Sequence, residues 1–132
     1  MALQIPPNCD LTLGLVCTEK HTPGHSTWRM DVDERFLNPA GLVQGGFLSA
    51  MLDSAMGASA VTGVGDRRVL VVNVEMKVSF LSPARAGDRL WCSAVVVKAG
   101  SAVSFLEGRI TNQRDELIAT GTSTYLVRER TE

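Results

Sequence analysis

The segment from Val43 to about Val61 is the one long stretch of this chain in which apolar residues recur at three- and four-residue steps. That period places them on one face of an α-helix. Nearly all the other positions are Gly, Ala or Ser, and a helix with so little bulk and charge is expected to lie enclosed. The sequence therefore predicts one long, enclosed helix, with apolar positions at Phe47, Leu48, Met51, Leu52, Ala55 and Met56.

After a glycine-rich turn at residues 63–66, the period of the apolar pattern changes to two. From Val72 to Phe80, alternate residues are apolar, and the intervening positions, beginning with Asn73, are polar, as in a half-buried strand. Similar patterns predict further strands over Arg89 to about Lys98, about Ala102 to Thr111, and about Leu117 to Val127.

Two shorter strands are predicted before the helix. Trp28, Met30 and Val32 alternate with polar residues, and a weaker pattern indicates a strand from Leu11 to Thr18. The short connections between the later strands favour an antiparallel meander. The predicted fold class is α+β, with a strongly bent antiparallel sheet around one long helix.

The composition is that of an ordinary globular protein. A length of 132 residues fits one domain, residues 1–132, of which about the first 26 are the least clearly assigned. The formal net charge of −1 provides no general attraction to nucleic acid or to an anionic membrane. We therefore predict no nucleic-acid partner and no membrane partner.

The cysteines indicate neither a disulfide framework nor a metal centre. Cys9, Cys17 and Cys92 are odd in number and match no metal-binding spacing, which favours free thiols in a reducing compartment. The N-terminal residues lack the pattern of a secretion signal, and no apolar stretch is long enough to span a bilayer. The sequence predicts a cytoplasmic protein without metal or cofactor.

Asp53 is the one carboxylate of the predicted helix. A charge in apolar surroundings is costly unless a partner compensates it, so Asp53 is expected to have a specific role. The same helix opens with Gly45 and Gly46, whose backbone N–H groups are free to bind an oxyanion or polarise a carbonyl. A carboxylate together with such amides suggests an acyl-transfer site, although a structural carboxylate that caps or pairs within an interface is an open alternative.

Two motifs give the chain a resemblance to a known family. One runs from Asn38-Pro39 through Gly45-Gly46 to Leu52-Asp53, and the other is Val-x-Met-x-Val-x-Phe-Leu-Ser-Pro-Ala, residues 74–84. Together with the order of predicted elements, they resemble the hotdog-fold acyl-CoA thioesterases of the PaaI-like type. The resemblance extends from about Thr27 to Val127.

The resemblance implies a reaction and a set of catalytic residues. An aryl- or medium-chain acyl-CoA would be hydrolysed to the free acid and CoA, with Asp53 acting as general base or as nucleophile. The Gly45 N–H would hold the carbonyl oxygen, and Asn38 would orient water or the acyl carbonyl. Asn73 matches a small polar residue that approaches the nucleophile from the partner subunit, because family members form dimers or tetramers with sites at the dimer interface.

One position departs from the family pattern. Gln44 stands where the family usually has His, and Gln hydrogen-bonds but cannot carry a protonic charge. Arg85 is a candidate for contacting the CoA phosphates. The remaining substrate-binding candidates lie on or beside the helix and are Gly46, Phe47, Met51 and Met76.

Two other functions remain open at the level of sequence. The Gln at position 44 is compatible with a non-catalytic module that binds acyl-CoA. A hotdog-fold hydratase or dehydratase is a weaker alternative, because those enzymes resemble chains that pair an Asp with a His, and no His follows residue 25 here.

Overall fold

The computed structural model describes residues 3–131, in which a six-stranded antiparallel sheet curves around one long helix. The predicted α+β fold class is confirmed. The first and last residues of the predicted domain, 1, 2 and 132, lie outside the described residues. The elements in chain order are α1 Asn8–Leu13, β1 Val16–Glu19, β2 His25–Asp31, a 3-10 turn Glu34–Phe36, α2 Gly45–Thr62, β3 Val69–Phe80, β4 Arg89–Ala99, β5 Val103–Thr111 and β6 Leu117–Glu129.

The long helix and the alternating strands follow the sequence pattern closely. Helix α2 begins two residues after the predicted start, because Gln44 keeps an extended backbone as the N-cap. In β2 and at the residue that follows it, the alternation of Trp28, Met30 and Val32 is confirmed, since all three side chains are buried. The predicted spans of β4, β5 and β6 agree with the observed ones to within two residues at each end.

The predicted strand from Leu11 to Thr18 is wrong over its first half. Residues Asn8–Leu13 form the short helix α1, and Gly14 ends it in the left-handed conformation (φ 69°), which glycine adopts without strain. Asp10 anchors this segment, because its carbonyl oxygen accepts from the Leu15 N–H and its carboxylate accepts from the Ser54 hydroxyl of α2 at 2.7 Å.

The strand order is β1-β2-β4-β5-β6-β3, so the predicted simple meander holds only for β4, β5 and β6. Strand β3 does not pair with β4, which follows it in sequence, but crosses to pair with β6. This leaves the twelve-residue β3 at an edge of the sheet. Because no further strand of residues 3–131 lies beside β3, the side of α2 next to β3 is open to solvent.

A β-bulge in β3 overturns the predicted division of its two faces. The pairing with β6 shifts between Asn73 and Glu75, so that Val74 is an extra residue and the alternation changes phase there. Val72 and Val74 are therefore exposed (51% and 50%) rather than buried. Asn73 faces α2 instead of lying on a polar outer face.

The core forms where α2 packs into the concave side of the sheet. Close packing is possible because Gly108 lies beneath Leu52, and a Cβ atom there would lie 2.9 Å from a Leu52 methyl group. A polar residue of α2 also contacts the sheet. The Ser59 hydroxyl donates to the Ala94 carbonyl oxygen, and it lies 2.7 Å from the Ser26 hydroxyl, with which it shares a hydrogen bond. The small residues of α2 thus serve close contact with the sheet.

The prediction that α2 is enclosed is only partly correct for the single chain. Its core-facing residues are buried, whereas Gly46, Asp53 and Val61 are exposed on the side that the sheet does not cover. No helix among residues 3–131 has the length and apolar character needed to cross a membrane.

Candidate active site

Asp53 lies on the uncovered side of α2, and its side chain is exposed in the single chain. The expectation that apolar residues surround this carboxylate is therefore wrong for the chain alone. Its apolar sequence neighbours Met51 and Leu52 point into the core, as the helical period requires, while Asp53 points toward the edge strand β3. The carboxylate is met there by polar groups.

Two side chains donate hydrogen bonds to one oxygen of Asp53. The hydroxyl of Tyr125 lies 2.5 Å from Oδ1 and 2.9 Å from the Asp53 main-chain carbonyl oxygen. The Asn73 amide Nδ2 donates to the same Oδ1 at 2.9 Å. Within residues 3–131, Oδ2 accepts no hydrogen bond and is therefore the carboxylate oxygen that is free to meet a substrate.

Ser123 fixes the orientation of the Asn73 amide. Its hydroxyl lies 2.7 Å from Asn73 Oδ1 and 2.8 Å from the Glu75 carbonyl oxygen, which directs the amide nitrogen toward Asp53. Burial, and then the nearby Asp53 carboxylate, raise the pKa of Tyr125 well above its usual value. Tyr125 therefore stays protonated and acts as a donor at every pH near neutrality.

The N-terminus of α2 provides the second part of the candidate site. Within the described chain, the backbone N–H groups of Gly45 and Gly46 donate to no acceptor, whereas the Gln44 N–H donates to the Phe36 carbonyl at 2.8 Å. A Cβ atom at Gly45 would lie 2.7 Å from the ring of Phe80, so glycine allows that ring to approach the helix end. The free amides stand at the positive end of the helix dipole.

Asn38 organises the loop that leads into this helix. Its side-chain oxygen accepts from the Ala40 and Leu42 N–H groups at 2.9 and 3.1 Å. Asn38 therefore has a structural role in this loop that occupies Oδ1, while its amide nitrogen donates to no group of residues 3–131. Asn38 also lines a cleft with Gly45.

Two depressions flank the N-terminus of α2. One, which we call the Gly45 cleft, has a volume of about 420 Å³ and is lined by Asn38, Leu42, Val43, Gly45, Leu48, Phe80, Leu81, Ser82, Pro83 and Ala84. The other, the α1–α2 groove, has a volume of about 490 Å³ and is lined by Cys9, Thr12, Leu13, Gln44, Gly46, Phe47 and Ala50.

The predicted substrate-binding residues occupy different environments. Gly46 and Phe47 line the α1–α2 groove, and Met76 lies beside the carboxylate, with its sulfur 3.8 Å from the Asn73 amide nitrogen. Met51 is 0% exposed in the core and has no surface with which to contact a ligand, because it lies on the helix face that packs against the sheet.

Arg85 is exposed in the loop after Ala84, a residue of the Gly45 cleft. The loop is held by Asp88, whose carboxylate accepts from the Arg85 N–H at 2.9 Å. Among the described residues, no group of three His, Cys, Asp or Glu side chains is arranged to hold a metal ion. The groups that the site presents are the Asp53 carboxylate, the Asn73 amide and the Gly45 and Gly46 N–H groups.

The two reactive parts of one chain are too far apart to act on one bond. Gly45 and Asp53 are eight residues apart on the same helix, which corresponds to about 12 Å along its axis. A carbonyl oxygen within hydrogen-bond distance of the Gly45 N–H is therefore out of reach of the Asp53 carboxylate of that chain.

Sequence reasoning missed Tyr125 and Ser123. Both lie on β6, more than fifty positions after Asp53, and reach the site only through the pairing of β6 with β3. A sequence signal does exist, since Tyr125 is the single tyrosine of the chain and stands within an otherwise aliphatic and threonine-rich strand. Asn73 was predicted to approach the nucleophile from the partner subunit, whereas in the structure its amide contacts Asp53 of its own chain.

The fold and the site define the class of protein. A family profile described as the thioesterase superfamily matches residues 40–119, and the chain belongs to that family. It is a thioester hydrolase with the hotdog fold of the PaaI-like type, as its motifs predicted.

Individual relatives cover most of the chain. Human acyl-coenzyme A thioesterase 13 is 28% identical over 118 residues, which is 89% of this chain and 83% of that protein. The N33D mutant structure of the phenylacetic acid degradation protein PaaI from Thermus thermophilus is 26% identical, with TM-score 0.80, over 89% and 96% of the two chains. A Streptococcus mutans protein solved with acetyl-CoA shares the fold, with 20% identity and TM-score 0.81 over 89% and 91%.

Proposed function

We propose that this protein is an acyl-CoA thioesterase that hydrolyses aryl- or medium-chain acyl-CoA, with Asp53 as the catalytic carboxylate. The observation that carries the proposal is a carboxylate with one oxygen held by two donors and the other free, on the same helix as unoccupied N-terminal amides. The human relative named acyl-coenzyme A thioesterase 13 supports the CoA ester, and the relative named for phenylacetic acid degradation supports an aryl acid.

Each site is formed by two subunits in this proposal. The 12 Å or so between Gly45 and Asp53 along α2 requires that the Gly45 N–H act with the Asp53 of a second copy. The exposed edge strand β3, with half-exposed Val72 and Val74, suits pairing with another copy of itself. Because Asn73 of β3 contacts Asp53, such a partner approaches the carboxylate directly. A homodimer, alone or within a tetramer, is the proposed active form.

The reaction follows from these positions. The Gly45 N–H of one subunit holds the thioester oxygen as it gains negative charge. Asp53 Oδ2 of the other subunit takes a proton from water while the water oxygen bonds to the carbonyl carbon, and that proton passes to sulfur when the C–S bond breaks. In the alternative route, Oδ2 attacks the carbonyl carbon directly and the C–S bond breaks, so that the CoA thiolate leaves and takes a proton from solvent. Water then opens the resulting anhydride to the free acid and the Asp53 carboxylate.

The substrate is placed along the N-terminus of α2. The α1–α2 groove, with Gly46 and Phe47, takes the acyl group, because its lining is largely apolar and its volume suits a group of that size. Met76 forms an apolar wall beside the carboxylate. The Gly45 cleft takes the CoA arm, with Asn38 near the carbonyl and exposed Arg85 beyond Ala84 to meet phosphate. Gln44 stands between the two depressions and donates to the thioester or to water.

The first test is CoA release from a panel of acetyl-, medium-chain and aryl-CoA esters, measured by chromatography. Asp53→Asn is expected to lower kcat by at least about 10²-fold, the contribution of a general base. Asp66→Asn is the matched control, because Asp66 is an exposed carboxylate outside the site. Near-normal turnover by Asp53→Asn contradicts the mechanism, and tight acyl-CoA binding without any CoA release indicates a non-catalytic module.

The second test removes a single N–H group. Proline at position 45 lacks the amide hydrogen, and it is compatible with the first helical position and with the extended backbone of Gln44 (φ −63°, ψ 138°). Gly45→Pro is expected to lower kcat by about 10²- to 10³-fold, as loss of an oxyanion donor does. Gly45→Ala is the matched control, because it adds a Cβ atom against Phe80 but keeps the N–H. Equal losses in both variants contradict the role of the amide.

A further inference from the structure

Tyr125 lies at the centre of the contacts made by Asp53, and its role rests on the function proposed above. We propose that Tyr125 is a positioning residue, which together with Asn73 holds Oδ1 of Asp53 so that Oδ2 is the oxygen that meets water or the thioester. The Tyr125 hydroxyl lies 2.5 Å from Oδ1 of Asp53, and the Asn73 amide nitrogen lies 2.9 Å from the same oxygen.

The two donors fix the carboxylate because they come from different strands. Asn73 lies on β3 and Tyr125 lies opposite it on β6, while Asp53 belongs to the helix. A carboxylate bound at one oxygen by two rigid donors loses its freedom to rotate and presents the other oxygen in one direction. Such preorganisation matters because small errors in the approach of reacting atoms lower the rate strongly.

The ring of Tyr125 is placed for this contact by its packing. The side chain is only 2% exposed, yet its hydroxyl reaches an exposed carboxylate. The ring lies against Gly57, one helical turn after Asp53, where a Cβ atom would be 3.6 Å from Cε2. Because the ring is locked between helix and sheet, the hydroxyl has one position. Ser123 holds Asn73 in the same way through its hydrogen bond of 2.7 Å.

Both routes of hydrolysis use Oδ2, so the positioning role is the same for either. Loss of the hydroxyl is expected to affect kcat, because Tyr125 touches Asp53 and not the CoA arm or the acyl group.

The test compares Tyr125→Phe and Ser123→Ala with Ser104→Ala. Ser104 is a suitable control because it is buried opposite Tyr125 in the β5–β6 pairing, and its hydroxyl has no partner among the described residues. Tyr125→Phe is expected to lower kcat by about tenfold or more, with KM within about twofold of wild type.

The outcomes separate this inference from the proposed function. If wild type releases CoA and Asp53→Asn does not, an unchanged kcat in Tyr125→Phe overturns the positioning role alone. An equal loss of kcat in Ser104→Ala also overturns it, because the effect is then one of general packing. If wild type releases no CoA from any ester, the proposed function and the inference both fail.

Discussion

Asn73 and Tyr125 stand opposite each other in the pairing of β3 with β6, and both side chains donate to the same oxygen of a carboxylate on α2. The sheet thereby holds the helix residue on which the proposed chemistry depends. The bulge at Val74 directly follows Asn73 and allows both Asn73 and, after the change of phase, Met76 to face the helix. An irregularity in an edge strand thus shapes the site.

Two inactive variants are expected to restore activity when their subunits are mixed. A dimer of one Asp53→Asn chain and one Gly45→Pro chain contains one intact site, made from the amide of the first and the carboxylate of the second. Random exchange in an equal mixture is expected to give about a quarter of wild-type activity. CoA release after co-refolding measures it. Activity no higher than the mean of the two variants contradicts a site shared between subunits.

The order of elements was predictable because it depends on local patterns. The helical period of residues 47–56 and the alternation around Trp28 and Met30 each lie within one segment, and both were confirmed. The faces of β3 were not predictable from alternation, since the bulge that moves Asn73 inward arises from pairing with β6. The role of Tyr125 was not predictable either, because its contact with Asp53 joins residues 72 positions apart.

The exposure of Asp53 marks a second limit of sequence reasoning. A helix of Gly, Ala and Ser indicates close packing, but the pattern does not specify which partner covers each face. In the single chain, the sheet covers the face with Leu52 and Met56 and leaves the Asp53 side open. The uncovered small residues are expected to pack against a second subunit, which the patterns of one chain do not describe.

Filling the α1–α2 groove is expected to change acyl selectivity. Ala50 lines the groove, so Ala50→Phe reduces the space beside Gly46 and Phe47. We expect kcat/KM for medium-chain and aryl esters to fall by about tenfold or more, with little change for acetyl-CoA. Ala102→Phe, an exposed position in the β4–β5 turn, is the control. A uniform loss across all esters would show that this groove does not bind the acyl group.

Substitution of two glycines is expected to affect stability in opposite directions. Gly108→Ala places a Cβ atom 2.9 Å from a methyl group of fully buried Leu52, and such overpacking costs about 1 to 3 kcal/mol. Gly57→Ala places its Cβ atom 3.6 Å from the Tyr125 ring, an ordinary contact, and the better helix propensity is worth up to about 1 kcal/mol. Urea unfolding measures both. A destabilisation of Gly57→Ala equal to that of Gly108→Ala contradicts the packing argument.

Asp88 is expected to contribute stability that disappears in acid. Burial acts to raise the pKa of Asp88, but hydrogen bonds from Gln113 and the Arg85 N–H, with the charge of Arg114, outweigh it and lower the pKa. Because the pKa is lower in the folded state, the stabilisation is present above about pH 3.9 and is lost as pH falls through the folded-state pKa.

The measurement for Asp88 is urea unfolding of wild type and Asp88→Asn over a range of pH. The variant is expected to be less stable by about 1 to 2 kcal/mol at pH 7, and the difference is expected to shrink below about pH 4. Asp66→Asn provides an exposed control. A difference that stays constant down to pH 2.5 or so would mean that the charge of Asp88 does not contribute.

Two of the three cysteines, Cys9 and Cys92, are expected to differ sharply in reactivity. Burial raises the pKa of the Cys92 thiol to about 12, so almost no thiolate is present near neutral pH, and the core excludes reagents as well. Cys9 is exposed at the α1–α2 groove. Maleimide labelling followed by mass spectrometry is expected to modify Cys9 rapidly and Cys92 only after unfolding. Cys9→Ser should remove the rapid phase, and labelling of Cys92 in the native protein at the rate of Cys9 would contradict its place in the core.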